Sequence, residues 1–533
     1  MRSDLEIANE IELKPIKEIA EYLELHEDQF VPYGKYLAKI PVSVLDDHKE
    51  NEDGKVILVT AMTPTSMGEG KTTTTIGLAQ ALAKIGKKSL IAIREPSLGP
   101  CMGVKGGAAG GGYSQVLPME DINLHLTGDI HAISITHNLL SAVIDNHIHQ
   151  KNEPEINARD VNWRRVIDMN DRTLRHIIVG LQGKGSNGVM REDGFDITAS
   201  SEIMAILCLS NSLNELKEKI GNIIVGYSHL KKPIFARDIQ IEGAMTSLLK
   251  HAINPNLAQS IEGVPAFIHG GPFANIAHGC NSIIATKMAM KLGDYIVTEA
   301  GFGADLGAEK FFNIKCRMGD IKPRAAVLVV TTRAYELHGI ENIKKHGENL
   351  LQFNIPFVIS VNKFLGDSDG QLNEIVNACR DNGFNAVITD FRETGGEGGL
   401  ELAHEIDRIA ENDNNFDQLY DLKVSIKEKI ETVANKIYGA TGIQYSQEAT
   451  NKIKQLENLG FKEYPICIAK TQSSFSDNPK LTGRPESFTI TVSDAKVSAG
   501  AGFIVIYTGK IMTMPGLPKN PSALQIDIND QGN

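Results

Sequence analysis

The chain has 533 residues, 54 of them Lys or Arg against 66 Asp or Glu, for a formal net charge of −12. That length is well beyond the roughly 250–300 residues at which one core stops growing, so several domains are expected. The acidity excludes a general attraction for nucleic acid or anionic membrane and leaves any anionic ligand to a local site.

The N-terminus (Met1, Arg2, Ser3, Asp4) turns acidic at once with no apolar h-region, which does not read as a secretory leader. Residues 10–45 place Ile16, Ile19, Ala20 and Leu23 at helical spacing and predict a helical lead-in. After the polar stretch 46–54, residues 55–60 (Lys-Val-Ile-Leu-Val-Thr) are apolar without alternation, as in a parallel strand buried on both faces. A glycine-rich turn and a helix from 72 to 84, stopped by Gly86, lead to a second apolar strand at 89–93. Strand, glycine loop, helix and strand make a βαβ unit. From 113 to 240 the pattern loosens into longer helical stretches. Strand-like runs then resume at 264–269, 294–298, 326–331, 356–361 and 386–389, with helical sequence between them. The expectation is an α/β fold with a doubly wound, mostly parallel sheet of the P-loop NTPase kind. Residues 1–112 and 241–430 would form its discontinuous nucleotide-binding domain, 113–240 an insert, and 431–533 a smaller C-terminal α+β domain. In that last part, 488–492 and 503–507 read as antiparallel strands. The six cysteines (Cys101, Cys208, Cys280, Cys316, Cys379, Cys467) are scattered singly, which argues against zinc, iron–sulfur and disulfide frameworks. No apolar run approaches the roughly 18 residues of a spanning helix, and a cytoplasmic location is expected.

The most informative segment is Thr-Pro-Thr-Ser-Met-Gly-Glu-Gly-Lys-Thr-Thr-Thr-Thr at 63–75, set between a buried strand and a helix. In that context glycines let backbone N–H groups close around phosphate oxygens, and the helix start adds partial positive charge. The ATP cradle would comprise Thr65, Ser66, Met67, Gly68, Glu69, Gly70, Lys71 and Thr72. Lys71 would reach the outer phosphates and Thr72 would ligate Mg²⁺. The generic motif begins with glycine where this chain has Thr65. A P-loop alone names a nucleotide and no chemistry: a ligase or kinase, a switch ATPase and a motor all stay open.

The second strand delivers Arg94-Glu95-Pro96-Ser97-Leu98-Gly99-Pro100 to the edge where ligands of open α/β sheets bind. Arg94 has the planar fork suited to a small carboxylate or a transferring phosphoryl group. The run 105–113 (Lys-Gly-Gly-Ala-Ala-Gly-Gly-Gly-Tyr) suggests close backbone approach to a ligand or a subunit, or a lid. The stretch 118–129 is rich in oxygen and nitrogen donors and ends in Asp129, a candidate for a cation or a catalytic water. His125, His269 and His278 lack the spacing of a tight zinc site and read as structural.

Together these blocks resemble the formate–tetrahydrofolate ligases. The resemblance rests on 63–73, 94–100, 105–113 and 118–125, and continues through 267–279 (Phe-Ile-His-Gly-Gly-Pro-Phe-Ala-Asn-Ile-Ala-His-Gly) and 298–310 (Thr-Glu-Ala-Gly-Phe-Gly-Ala-Asp-Leu-Gly-Ala-Glu-Lys). It extends to 469–472 and 512–518, in family order. It implies ATP, formate and tetrahydrofolate as substrates, Mg²⁺ with the nucleotide, a formyl phosphate intermediate, and Lys71 and Arg94 stabilising charge on the formate–phosphoryl unit. It further implies a monovalent cation (K⁺ or NH₄⁺) near Glu95 and Asp129, and a homotetramer. Phe302 and Phe364 match positions that stack on the folate. Two departures stand out: Leu365 follows the second phenylalanine where the family often has Pro, and no Trp precedes the glycine run at 395–399. Phe391, or the guanidinium of Arg392, would supply the missing face. Lys470, Thr471 and Gln472 could face a polyglutamate tail or the nucleotide. The competing class is a P-loop switch ATPase of the partitioning or nitrogenase-iron-protein kind.

Overall fold

The structure, a computed structural model, describes residues 2–105, 109–182, 185–509 and 511–528. Part of the glycine run, 106–108, lies outside the described residues.

Twelve strands join in one sheet: β1 (Val31–Tyr33), β2 (Leu37–Lys39), β3 (Lys55–Ala61), β4 (Ser89–Ile93), β5 (Gly110–Gly111), β6 (Ser114–Leu117), β7 (Asn256–Ser260), β8 (Pro265–Ile268), β9 (Tyr295–Glu299), β10 (Pro323–Val330), β11 (Phe357–Asn362) and β12 (Ala386–Thr389). The main order is β1-β2-β7-β8-β4-β9-β3-β10-β11-β12, with β6 on β7 and β5 on β6. From β8 to β12 all neighbours are parallel, and from β8 back to β1 they are antiparallel. The sheet is therefore mostly parallel within a mixed α/β chain.

Successive side chains point to opposite faces, so an unbroken apolar run feeds two cores at once. Along β3, Ile57 and Val59 enter one cluster with Ile76, Leu78 and Leu82 of helix α1 (Lys71–Lys84). Val56 and Leu58 enter the other, which helix α3 (Thr332–Leu351) and the C-terminal residues Ile468, Phe475 and Ile490 also build. Helix α2 (Asp129–Gln150) and Trp163 belong to a third cluster shared with Phe503 and Val505. The indole Nε1 of Trp163, the chain's one tryptophan, donates to the His137 carbonyl at 3.1 Å.

Two expectations are corrected. Residues 10–45 are not helical throughout: Ile16–Tyr22 is a helix, but β1 and β2 form a hairpin about Gly34, whose φ is +75°. At the C-terminus, Thr489–Val492 pairs in parallel with Gly442–Tyr445, not with Phe503–Tyr507. Phe503–Tyr507 makes its antiparallel hairpin with Asp494–Ser498, because the tight turn at Gly502 lies between those two runs.

Candidate active site

The cradle starts where β3 ends. Gly68 and Gly70 sit at φ +79° and +74°, the left-handed region that glycine enters without steric cost. A Cβ on Gly70 would also come within 2.5 Å of Asn362 Nδ2, at the end of β11. That amide donates to the Glu69 carbonyl at 3.2 Å. Glu69 is buried, and its carboxylate accepts from the Thr65 backbone N–H at 2.6 Å and from the Thr331 hydroxyl. Upstream, helix α3 holds Thr63: its N–H donates to Asn342 Oδ1 at 3.2 Å, and its hydroxyl lies 3.0 Å from His346 Nε2. Burial keeps the His346 imidazole well below its usual titration range, hence neutral. The loop is thus shaped by groups outside the sequence motif. Ser66, Met67 and Gly68 remain exposed, while Lys71 and Thr72 are half-buried at the start of α1.

Strand order brings the second motif beside the first. β9 lies between β3 and β4, and its last residue, Glu299, contacts what both neighbours deliver. Glu299 Oε2 accepts from the Thr72 hydroxyl at 2.8 Å. Glu299 Oε1 lies 3.5 Å from the Arg94 guanidinium. The Nε of Arg94 is buried without a hydrogen-bond partner among the described residues, a donor left for an anion.

The loop after β9 carries Phe302 at φ +62°, a strained setting for an aromatic residue. Its flanking glycines are tightly placed. A Cβ on Gly301 would lie 3.4 Å from the Arg94 guanidinium, and one on Gly303 would lie 3.2 Å from the Met62 carbonyl. Phe364 stands on the other side, its ring 3.5 Å from the Cβ position of Gly70 and under the Arg333 guanidinium at 4.4 Å. The structure therefore gathers Lys71, Thr72, Arg94, Phe302 and Phe364 around one loop.

Phe391 is not among them. It is fully buried, with its ring filling the space left by Gly77 of α1 and by Gly399, so it belongs to the core and offers no stacking face. Arg392 turns away as well, pairing with Asp4 at 2.9 Å. Lys470 is fully buried and bridges to Asp305 at 3.2 Å, which closes it to a polyglutamate tail.

Asp129 and Glu95 lie in a buried polar cluster. Asp129 Oδ2 accepts from Lys39 Nζ and Asn256 Nδ2, each at 2.8 Å, so an ammonium of the chain itself already meets this carboxylate. Burial, reinforced by the charge of Asp129, raises the Glu95 carboxyl well above the usual range, and its Oε2 has no partner among the described residues. His269 is structural, bonded to Ser282 Oγ at 2.7 Å and to the Ala252 carbonyl at 2.6 Å. Among the described residues no group of three or more His, Cys, Asp or Glu could hold a metal, and all six cysteines are buried with none in a disulfide.

One carboxylate, that of Glu299, thus joins Thr72 at the start of α1 to Arg94 at the end of β4. The family model for formate–tetrahydrofolate ligase matches residues 2–533. The chain belongs to this family. As a formate–tetrahydrofolate ligase it is an enzyme of one-carbon metabolism whose substrates are ATP, formate and tetrahydrofolate, with Mg²⁺ accompanying the nucleotide. The switch-ATPase alternative gains no support from the family match. No helix among the described residues is long and apolar enough to cross a membrane. Sequence reasoning named residues 65–72 and Arg94 but not the carboxylate of Glu299 that contacts Thr72 and Arg94, nor the burial of Glu69. Glu299 carried a signal all the same, standing at the end of an apolar strand within a family block.

Proposed function

We propose that the ligase works by phosphorylating formate and passing the formyl group to N10 of tetrahydrofolate, giving 10-formyltetrahydrofolate, ADP and phosphate. The observation that carries this reading is the carboxylate of Glu299, in contact with both Thr72 of the cradle and Arg94. Direct transfer from ATP to a carboxylate needs those two sites to adjoin.

A formate oxygen attacks the γ-phosphorus and the bond to the β-phosphate oxygen breaks, leaving formyl phosphate and ADP. N10 then attacks the formyl carbon, the carbon–oxygen bond to phosphate breaks, and N10 loses its proton. Lys71 and Arg94 stabilise charge on the transferring group, an electrostatic task whose removal costs about 10²–10³ in rate. Residues 65–72 hold the phosphates. The Thr72 hydroxyl, beside a carboxylate, provides the oxygen donors that Mg²⁺ takes alongside phosphate. The ion supplies neutralisation of phosphate charge. Phe302 and Phe364 face the pterin, and a monovalent cation, K⁺ or NH₄⁺, would find its free donor in Glu95 Oε2, because Asp129 Oδ2 is already met by the Lys39 ammonium. Residues 1–112 and 241–430 form a P-loop domain whose sheet also takes β6 (Ser114–Leu117) from the insert 113–240, and 431–533 is a C-terminal α+β domain. The enzyme acts in the cytoplasm as a homotetramer.

Incubation with Mg-ATP, formate and tetrahydrofolate, then acidification, should yield methenyltetrahydrofolate only when all three substrates are present. With ¹⁸O-formate, one label should appear in inorganic phosphate. Unlabelled phosphate would overturn the formyl phosphate route, and ATP hydrolysis indifferent to formate and folate would overturn the reading as a whole.

A further inference from the structure

Glu299 is the hinge between two sites that the sequence keeps far apart. It is 227 residues from Thr72 in the chain. Yet it ends β9, whose parallel neighbours are β3, which leads into the cradle, and β4, which ends immediately before Arg94. The residue is only 5% exposed, and each of its carboxylate oxygens has its own partner: Oε2 the Thr72 hydroxyl, Oε1 the Arg94 guanidinium. An acid at the end of the strand beside a P-loop, bonded to the loop's hydroxyl, occupies the place from which P-loop enzymes steady Mg²⁺. Here that acid also neutralises the arginine that should receive a small carboxylate.

Two consequences follow from charge alone. With no Mg²⁺ at Thr72, the full negative charge of Glu299 falls on Arg94, and an entering formate anion meets an arginine already paired, beside a like charge. With Mg²⁺-nucleotide at Thr72, the same carboxylate is drawn toward a dication and its hold on Arg94 weakens. We infer that Glu299 couples the two sites, serving Mg²⁺-nucleotide through Thr72 and thereby releasing Arg94 to bind formate, so that nucleotide loading and formate binding favour one another. The inference rests on the ligase reading above and adds an order to it: formate binds well only after the cradle is filled.

Coupling of this kind is reciprocal and typically about 5–150-fold in affinity. The test measures formate binding by calorimetry with and without Mg-ADP, and Mn²⁺ binding in the presence of ADP by electron paramagnetic resonance, for the native enzyme, Glu299→Gln and Glu299→Asp. In the native enzyme Mg-ADP should tighten formate by at least about fivefold. Glu299→Gln should bind Mn²⁺ with ADP at least about tenfold more weakly, as expected for the loss of a charged donor. It should bind formate equally with and without nucleotide, while Glu299→Asp, which keeps the charge, should recover part of both effects. Native enzyme that binds both ligands without coupling, or Glu299→Gln that retains the coupling or the native Mn²⁺ affinity, would overturn the inference and leave the ligase reading intact. Native enzyme that binds no formate under any condition would overturn both. Thermal melting of the variants tells a lost fold from a lost coupling: Glu299→Asp with a native melting curve and no recovered coupling also counts against the inference.

Discussion

Glu69 Oε1 lies 2.6 Å from the Thr65 backbone nitrogen, so the cradle is tied across its own mouth by an acid from within it. The other oxygen of this buried carboxylate takes the Thr331 hydroxyl, which also caps α3 by accepting from the Ala334 N–H at 3.2 Å. Cradle and helix are therefore set by one side chain. Hydrogen bonds to a charged group contribute about 1.5–3 kcal/mol each, and their loss leaves buried donors unmet. Glu69→Ala should weaken ADP binding by about 10–100-fold, and Glu69→Gln, which keeps one acceptor, by less. Calorimetric titration with Mg-ADP checks this; unchanged affinity would mean the loop is shaped without its acid.

Phe391 and Phe364 should separate cleanly. Phe391→Ala opens a cavity between Gly77 and Gly399 and should cost about 3–5 kcal/mol, read as a lower denaturation midpoint. Phe364→Ala should leave the midpoint near its native value. Losing about 1.5–3 kcal/mol of aromatic contact should raise KM for tetrahydrofolate about tenfold or more. A rise in KM for ATP in place of that for folate would move Phe364 to the nucleotide, which its closeness to Gly70 makes a sharp alternative.

The parallel half of the sheet was legible because β3, β4, β9, β10 and β11 are runs buried on both faces, and nothing but a central strand explains such runs. The antiparallel flank was not. β7 reads Asn-Leu-Ala-Gln-Ser, whose polar members are buried by hydrogen bonds that only the fold supplies, such as Asn256 Nδ2 to the Ile268 carbonyl at 3.1 Å. In the site, glycine and Lys71 announce a cradle at short range. The shaping of that cradle by Asn342, His346 and Thr331, and the meeting of Thr72 with Glu299, depend on strand order, which no local pattern encodes. Phe391 misled because it stands where the family often carries Trp before the glycine run; here glycine makes room for the ring inside the core.

Glu309 gives a pH signature. Burial pushes its carboxyl up from 4.5 to about 7, against the pull of the Asn313 amide, which donates to Oε1 at 2.7 Å, while Oε2 has no partner among the described residues. The folded state thus holds the proton more tightly than the unfolded chain. The stability this gives is fully present below about pH 4.5 and is lost as pH rises through about 7. At about 1.4 kcal/mol per unit, the folded protein should give up roughly 3 kcal/mol by the alkaline side. Glu309→Gln keeps an acceptor for Asn313 and carries no charge. Its melting temperature should match the native value near pH 4.5 and exceed it increasingly up to about pH 8. A difference that does not change with pH would mean that the carboxylate ionises in place without cost.

Arg94 should resist its conservative replacement. The guanidinium faces Glu299 with one nitrogen while its Nε is buried without a hydrogen-bond partner among the described residues, so a carboxylate can meet it through more than one donor. An ammonium is a point charge and cannot reproduce that fork. Arg94→Ala should lower kcat/KM for formate by about 10²–10³. Arg94→Lys should recover charge but not geometry, and stay well short of native activity. Lys71→Ala should lose a similar factor with saturating formate, because its part is played on the phosphoryl group. Steady-state kinetics with each substrate varied in turn decide the matter. If Arg94→Lys matched the native enzyme, charge alone would suffice at this position, and the planar fork would not be what receives formate.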